Sequence, residues 1–345
     1  MASLKGKRVA VWVDPARAEL ARRVLAWLDA PASVAGSPAR GQSRAVAAAL
    51  GAEPADDLRR VLVEGEVDVV WVVDAGEFGE PGDASSLSAA HARGVKVVTR
   101  ESIPGSALDA ASSAWGVGGG SVDGPSPAWR PRVSPLIRSG RSYREAGEVL
   151  SEIGAVRAVC VEALSSAWNG TLGGLLYDAA DVVRALLGEP ESVHAAYGPG
   201  NAPVASPSVA PGSLRGLEGD LFATLRYADG RVGSMVLSGR GGGWRRRVTV
   251  LGERGRVTVS GAGFERHTPE GERADSTRYR GPKDAWGEAV REVGESLARA
   301  SGSAGLGDSP GGALGALTIC QTALLSAKTG QAESPATIRR MIEVG

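Results

Sequence analysis

"VAVWVDPARAELA" (residues 9–21) carries an apolar run straight into a helical pattern. In nucleotide-binding α/β domains this junction is a glycine turn that lets backbone approach phosphate. Here it is Val13-Asp14-Pro15. Asp is a preferred helix N-cap and Pro a preferred first helical residue, so the junction reads as a helix start. A second constellation, "GRGGGWRRRVTV" (residues 239–250), sets Arg240, Arg245, Arg246 and Arg247 beside Trp244. Such residues grip phosphate or stack a base. Strand alternation sends Arg245 and Arg247 one way and Arg246 the other. The split predicts a strand edge guarded by charge and no nucleic-acid partner. In "AWNGTLGGLLYD" (residues 167–178), Trp168, Asn169 and Tyr177 either line a pocket at a helix N-terminus or pack in a core. Residues 105–129 are rich in Gly, Ser and Pro, and read as a lid bearing Trp115 and Trp129 or as an insert.

The three histidines do not share a metal-ligand spacing: His91 falls on a helix, His194 in a strand and His267 in a polar hairpin region. Cys160 and Cys320 stand far apart, outside any C-x-x-C pair. Neither a metal site nor a disulfide framework is expected, and a reducing cytoplasm fits.

The chain has 345 residues, room for two domains at roughly 100–200 residues each. Formal net charge is zero, so no global field favours nucleic acid or an anionic membrane. The apolar run after "MASLKGKR" is too short for a signal-peptide core or a membrane span.

Strands are expected at residues 9–13, 32–36, 67–73 and 95–99, with helices at 15–28, 43–50, 56–63 and 84–93. Continuous apolar strands between helices indicate a parallel sheet covered on both faces. A further strand at 133–137 and a helix at 142–153 follow. Then the period changes. A strand at 156–163 leads to a helix at 172–187, stopped by Gly188-Glu189-Pro190, and to a strand at 192–197. "LFATLRYADGRVGSMVLS" puts Leu221, Ala223, Leu225 and Tyr227 on one face and turns at Asp229-Gly230. A second hairpin is expected around residues 253–255, and helices at 284–299 and 314–328, joined by a connector at 301–312, close the chain. The fold class is therefore α/β. A Rossmann-like doubly wound parallel sheet (1–140) precedes an α+β domain with a large, mostly antiparallel sheet (141–345).

Three stretches in this order, "GGLLYDAADVVRALLGEP", "FATLRYADGRVGSMVLS" followed by "RRRVTVLGERGRVTVSG", and "ICQTALLSAKTGQAESP", resemble the Gfo/Idh/MocA oxidoreductase family over nearly the whole chain. The resemblance implies NAD or NADP as cofactor, a sugar-like small molecule as ligand, and assembly through the C-terminal sheet into a homo-oligomer or with a partner protein. Trp and Arg suit such an interface.

Carried over residue by residue, the resemblance sets Val13, Pro15 and Ala18 at the three glycines of the cofactor turn. Gly36 and Ser37 fall where an acid meets the adenosine ribose, while Arg40 and Arg44 are placed to meet a 2′-phosphate. Asp74, directly after the strand at 67–73, joins the cofactor side. In "TRESIP", Glu101 matches the family glutamate and Ser102 falls at its lysine; a serine does not supply that positive charge. Arg100 substitutes only if the strand end twists, because neighbouring strand residues point to opposite faces. On the substrate helix, Gly174 falls at the family aspartate, Asp178 at its histidine, and Asp181 at a later aspartate. Asp178, Asp181 and Ser102 are thus the candidate catalytic residues, with Asp178 the only base on offer. Two readings follow: a degenerate, non-catalytic or atypical member serving as a binding or partner subunit, or an active NAD(P)-dependent oxidoreductase acting on a sugar, polyol or related hydroxy compound.

Overall fold

The computed structural model describes residues 4–115, 129–199, 212–279, 286–302 and 312–344. Two compact units emerge. Unit 1 comprises Met1–Pro135, Ala167–Asn169 and Ala289–Leu314; unit 2 comprises Leu136–Ser166, Gly170–Glu288 and Gly315–Gly345.

Unit 1 is built on strands β1 (Val9–Trp12), β2 (Ala32–Gly36), β3 (Glu53–Ala55), β4 (Val69–Val72), β5 (Lys96–Thr99) and β6 (Arg132–Val133). They form a six-stranded sheet in the order β3-β2-β1-β4-β5-β6, every pair parallel. All four residues of β1 and of β4 are buried, as a sheet covered on both faces requires. Helices α1 (Ala18–Trp27), α2 (Ser43–Leu50), α3 (Leu58–Glu64), α4 (Ala84–Ala92) and α5 (Ala107–Ala111) connect them. The short β3, unexpected from sequence, contains Pro54 and lies at the sheet edge, where a missing N–H is tolerated. The strand expected at 133–137 stops at Val133, because Pro135 has no N–H for the ladder and Ile137–Ser139 turn into a 3-10 helix.

In unit 2 the helix expected at 142–153 breaks around Ala146-Gly147 into α6 (Arg141–Glu145) and α7 (Gly147–Glu152). Strand β7 (Val156–Leu164) and helix α8 (Leu172–Leu187) follow. The remaining strands are β8 (Ser192–Gly198), β9 (Asp220–Arg226), β10 (Val232–Ser238), β11 (Arg245–Gly252), β12 (Gly255–Ser260), β13 (Gly263–His267) and β14 (Arg273–Arg278). Helices α9 (Gly287–Ala300), which runs into unit 1, α10 (Gly312–Thr329) and α11 (Pro335–Val344) complete the chain. The eight-stranded sheet runs β14-β13-β12-β11-β7-β10-β9-β8, antiparallel except for β10 on β7. Leu221, Ala223, Leu225 and Tyr227 are buried on one face, as their alternation requires. Gly230 takes φ +85° in the turn at Asp229-Gly230, a conformation that glycine adopts without strain.

The arginine-rich strand is not an edge. β11 lies between β12 and β7, so charge protection against edge pairing is not its role. That role falls to β14, an edge strand whose RADSTR sequence is almost wholly exposed.

Candidate functional site

In unit 1, β1 and β4 lie side by side, and the chain leaves both at their carboxyl ends, where open α/β sheets take ligands. The turn after β1 has closed its own amide inventory. Val13 N donates to Gly36 O (3.0 Å), and Arg17 N to Asp14 O (2.9 Å). Ala16 N donates to Asp14 Oδ1 (2.9 Å), Ala18 N to Pro15 O, and Pro15 has no N–H. The remaining amide, Asp14 N, donates to Asp74 Oδ2 (2.8 Å). Asp74 Oδ1 accepts from Arg17 Nη1 at 2.5 Å. The Val13 side chain is fully buried and Pro15 is exposed, so neither shapes an open cradle.

Asp74 is itself buried, and burial pushes its carboxyl above the ordinary Asp range; Arg17, the Asp14 amide and Arg100 pull it back only in part. Arg100 is turned inward at the end of β5, where its guanidinium donates to the Asn169 carbonyl. Glu101 is buried, and its backbone is tied to Thr99 Oγ1 through its N–H (3.2 Å) and its carbonyl (2.7 Å). Ser102 Oγ donates to Pro104 O at 2.9 Å, inside its own turn.

At the end of β2, Gly36 has a steric explanation. A Cβ there would overlap the Trp12 ring and the Ala55 carbonyl, so the indole holds the volume that a side chain at this position would need. Ser37 is buried and its Oγ accepts from Ala39 N (3.2 Å), a local turn contact. Arg40 and Arg44 are exposed.

Unit 2 holds a different cluster. Helix α8 starts at Thr171, whose Oγ1 accepts from Gly174 N (3.2 Å), and it buries Asp178 and Asp181. Asp178 Oδ1 accepts from Ile137 N (2.6 Å), while Oδ2 lies 3.2 Å from Arg246 Nη1. Asp181 takes Arg138 in a fork, Nε to Oδ2 at 2.6 Å and Nη2 to Oδ1 at 3.1 Å. Both carboxylates thus hold the same short turn, Ile137–Ser139, against α8. Arg246 comes from β11, with its guanidinium carbon 4.3 Å from the Trp244 ring centre. Burial raises the Asp181 carboxyl despite Arg138, and pushes the nearby Tyr143 phenol up to about 12. Arg184 adds a third positive charge that acts on Asp181.

Arg246 and Arg138 escaped the sequence reading. The signal for Arg246 was its alternation: facing the side opposite Arg245 and Arg247 put it on the buried face, where a charge needs a partner. Arg138 had no such signal, because it falls just past the strand expected at 133–137, where no element was expected. Trp168 and Asn169 fall in unit 1 and Tyr177 in unit 2, with Asn169 and Tyr177 buried. Trp115 is fully buried in the unit 1 core, 5.5 Å from the Trp129 ring centre, so it is not part of a lid; residues 116–128 of the expected loop lie outside the described residues, as do residues 303–311 of the connector. His91 and His194 are exposed and His267 is half-buried. Among the described residues no group of His, Cys, Asp or Glu is placed to hold a metal ion, and no helix is long and apolar enough to cross a membrane.

A doubly wound parallel sheet followed by a large, mostly antiparallel sheet is a combination also found in solved oxidoreductase structures. Residues 151–292 match the oxidoreductase family's C-terminal alpha/beta domain. No curated protein matches the chain in sequence. Its fold is similar to that of apo scyllo-inositol dehydrogenase from Lactobacillus casei (TM-score 0.64, 16% identity, covering 97% of this chain and 99% of that one). It is also similar to an oxidoreductase from Agrobacterium radiobacter in complex with NAD+, L-tartaric acid and magnesium (0.63, 16%, 96% and 99%), and to an NAD binding oxidoreductase from Klebsiella pneumoniae (0.62, 15%, 95% and 98%). The β1–α1 turn of this chain does not fit a dinucleotide pyrophosphate: its N–H groups already have acceptors, and a carboxylate sits on the one amide that side-chain chemistry holds from outside the turn.

Proposed function

We propose that this chain is a non-catalytic or atypical Gfo/Idh/MocA protein, a binding or partner subunit working in the cytoplasm. The observation that carries the reading is the engagement of Asp178, with the Ile137 amide on one oxygen and the Arg246 guanidinium by the other. A general base must be within hydrogen-bond reach of a substrate proton and ready to take it. Asp178 is instead a structural clamp, and none of the three histidines stands in its place. A sugar-like small molecule is the ligand class that the family fold favours. The solvent side of the eight-stranded sheet, with Phe222 54%, Val232 49% and Leu251 41% exposed, is the surface offered to a second copy or a partner protein.

The fold similarity to NAD-bound oxidoreductases favours a second reading, an active NAD(P)-dependent enzyme acting on a sugar, polyol or related hydroxy compound. The test is to incubate the purified chain with NAD+ or NADP+ and a panel of inositols, aldoses and alditols, following nicotinamide absorbance. The first reading expects no reduction with any pair. Turnover that D178N abolishes establishes the second. Sedimentation of wild type against F222E tests the sheet surface: an oligomer that F222E dissociates supports it, and an unchanged distribution removes it.

A further inference from the structure

Strand register sets Phe222 of β9 and Arg247 of β11 in one row on the solvent side of the eight-stranded sheet, through Val236 and Glu162. A second row runs from Val232 through Leu251, Arg256 and His267 to Arg273 on the edge strand β14. The register slips between Arg266 and His267, and this slip puts Arg273 opposite His267. The face therefore has an apolar end on β9 and β10 and an arginine end on β11, β12 and β14. The same face shows what its arginines take: Arg245 pairs with Glu162 at 3.0 Å, and Arg278 with Glu265 at 3.3 Å. Arg247, Arg256 and Arg273 are also exposed, and among the described residues they make no ion pair. Arg256 and Arg273 stand two strands apart, about 10 Å, and Arg247 lies opposite Ser260, about 13 Å along β12 from Arg256. The three cations form a strip and do not gather round one point.

We propose that this arginine end docks an acidic segment of a partner protein. A strip of separated guanidinium groups matches carboxylates carried in succession on a chain, and each fork accepts one of them. Leu251, 41% exposed and opposite Arg256, adds an apolar contact. A second copy of this chain is poorly matched to the strip. Glu162 and Glu265 are already taken, and Asp220 is the one other acidic residue that the strands of this sheet carry on this face. One carboxylate does not answer three arginines. Nucleic acid is matched no better, because bases need aromatic platforms and Trp244, the indole beside the arginine strand, is buried against Arg246. The strip lies at the opposite end of the face from Phe222, so the proposal stands apart from the oligomer that F222E tests.

The experiment is fluorescence anisotropy of a labelled oligoglutamate peptide titrated with the full chain at low ionic strength, with circular dichroism as the check on folding. Wild type is expected to bind the peptide, and more weakly as salt rises. R256Q/R273Q is expected to weaken binding about fivefold and R247Q/R256Q/R273Q about tenfold, the scale of two and three exposed charge contacts. The double variant carries the test if the triple variant does not fold. K328Q/R340Q removes two exposed cations from α10 and α11 and is expected to stay within about twofold of wild type. No binding by wild type overturns the proposal, as does a loss in K328Q/R340Q equal to that in R256Q/R273Q. Tighter binding of an oligodeoxythymidylate of the same charge gives the strip to nucleic acid and also overturns it. So does an oligomer that the triple variant dissociates, because a second copy then holds the arginines. None of these outcomes touches the reading of Asp178, which the polyol assay decides.

Discussion

Removing Asp178 separates a clamp from a base. The D178A variant leaves the Ile137 N–H, buried at the start of its 3-10 turn, without the acceptor it now has at 2.6 Å. A buried donor left unsatisfied costs about 1–3 kcal/mol. It also leaves Arg246, 8% exposed, without the carboxylate 3.2 Å away, and breaking one side of a buried ion pair costs about 3–5 kcal/mol. The two costs overlap in one small volume, and the Trp244 ring 4.3 Å from the guanidinium softens the second. A total of about 4 kcal/mol is therefore expected for D178A. D178N keeps an acceptor for Ile137 and loses only the charge, so about 2–3 kcal/mol is expected. In the double variant D178N/R246M most of the charge cost disappears, giving a coupling of about 2 kcal/mol in a double-mutant cycle. Urea unfolding gives the totals, and hydrogen exchange over residues 136–139 shows whether the loss is local to the clamped turn. A cost below about 1 kcal/mol for D178N, with no coupling to Arg246, refutes the clamp.

Three further outcomes follow from the same contacts. G36A forces a Cβ into the Trp12 ring and the Ala55 carbonyl, so a loss of about 1–3 kcal/mol is expected, relieved in part by W12L; a neutral G36A by thermal denaturation contradicts the packing. Because burial raises the folded-state value of Asp74, its contribution to stability is complete below the ordinary 3.8 and is lost as pH rises through the folded value. The stability of wild type minus that of D74N should therefore fall with rising pH across that window, and a flat or rising difference sinks the assignment. Cys160 is exposed and Cys320 buried, with its thiol pushed up by burial. Alkylation under native conditions should modify Cys160 alone, and early labelling of Cys320 contradicts the buried α10 face.

Much of the fold was legible because it rests on local pattern. The valine-rich runs at β1 and β4, the Asp14-Pro15 helix start and the Asp229-Gly230 turn each carry their own signal, and the structure places each of them there. Short edge pieces were not legible: β3 has three residues and β14 is almost wholly polar, so neither shows strand periodicity. The site was only half legible. The positions of Asp178 and Ser102 came from family resemblance; Ser102 is held within its own turn by Pro104 O, but the partners of Asp178 come from elsewhere in the chain, Arg246 68 residues after it and Ile137 41 before it. The same holds for Asp74, whose amide partner is 60 residues away. Long-range pairing of buried charges follows from topology, which spacing along the sequence does not encode. The arginine strand shows the cost: alternation split its faces correctly, but its place inside the sheet depended on which strands flank it.

The central claim is that the crevice after β1 is already filled from within the chain. Titration of the wild-type protein with NADH and with NADPH, following nicotinamide fluorescence and thermal unfolding together, tests it most directly. Neither cofactor is expected to give a saturable signal or raise the unfolding temperature up to millimolar concentration. Saturable binding of either, with the roughly 2.7 kcal/mol of stabilisation due at a hundredfold excess over Kd, would contradict it.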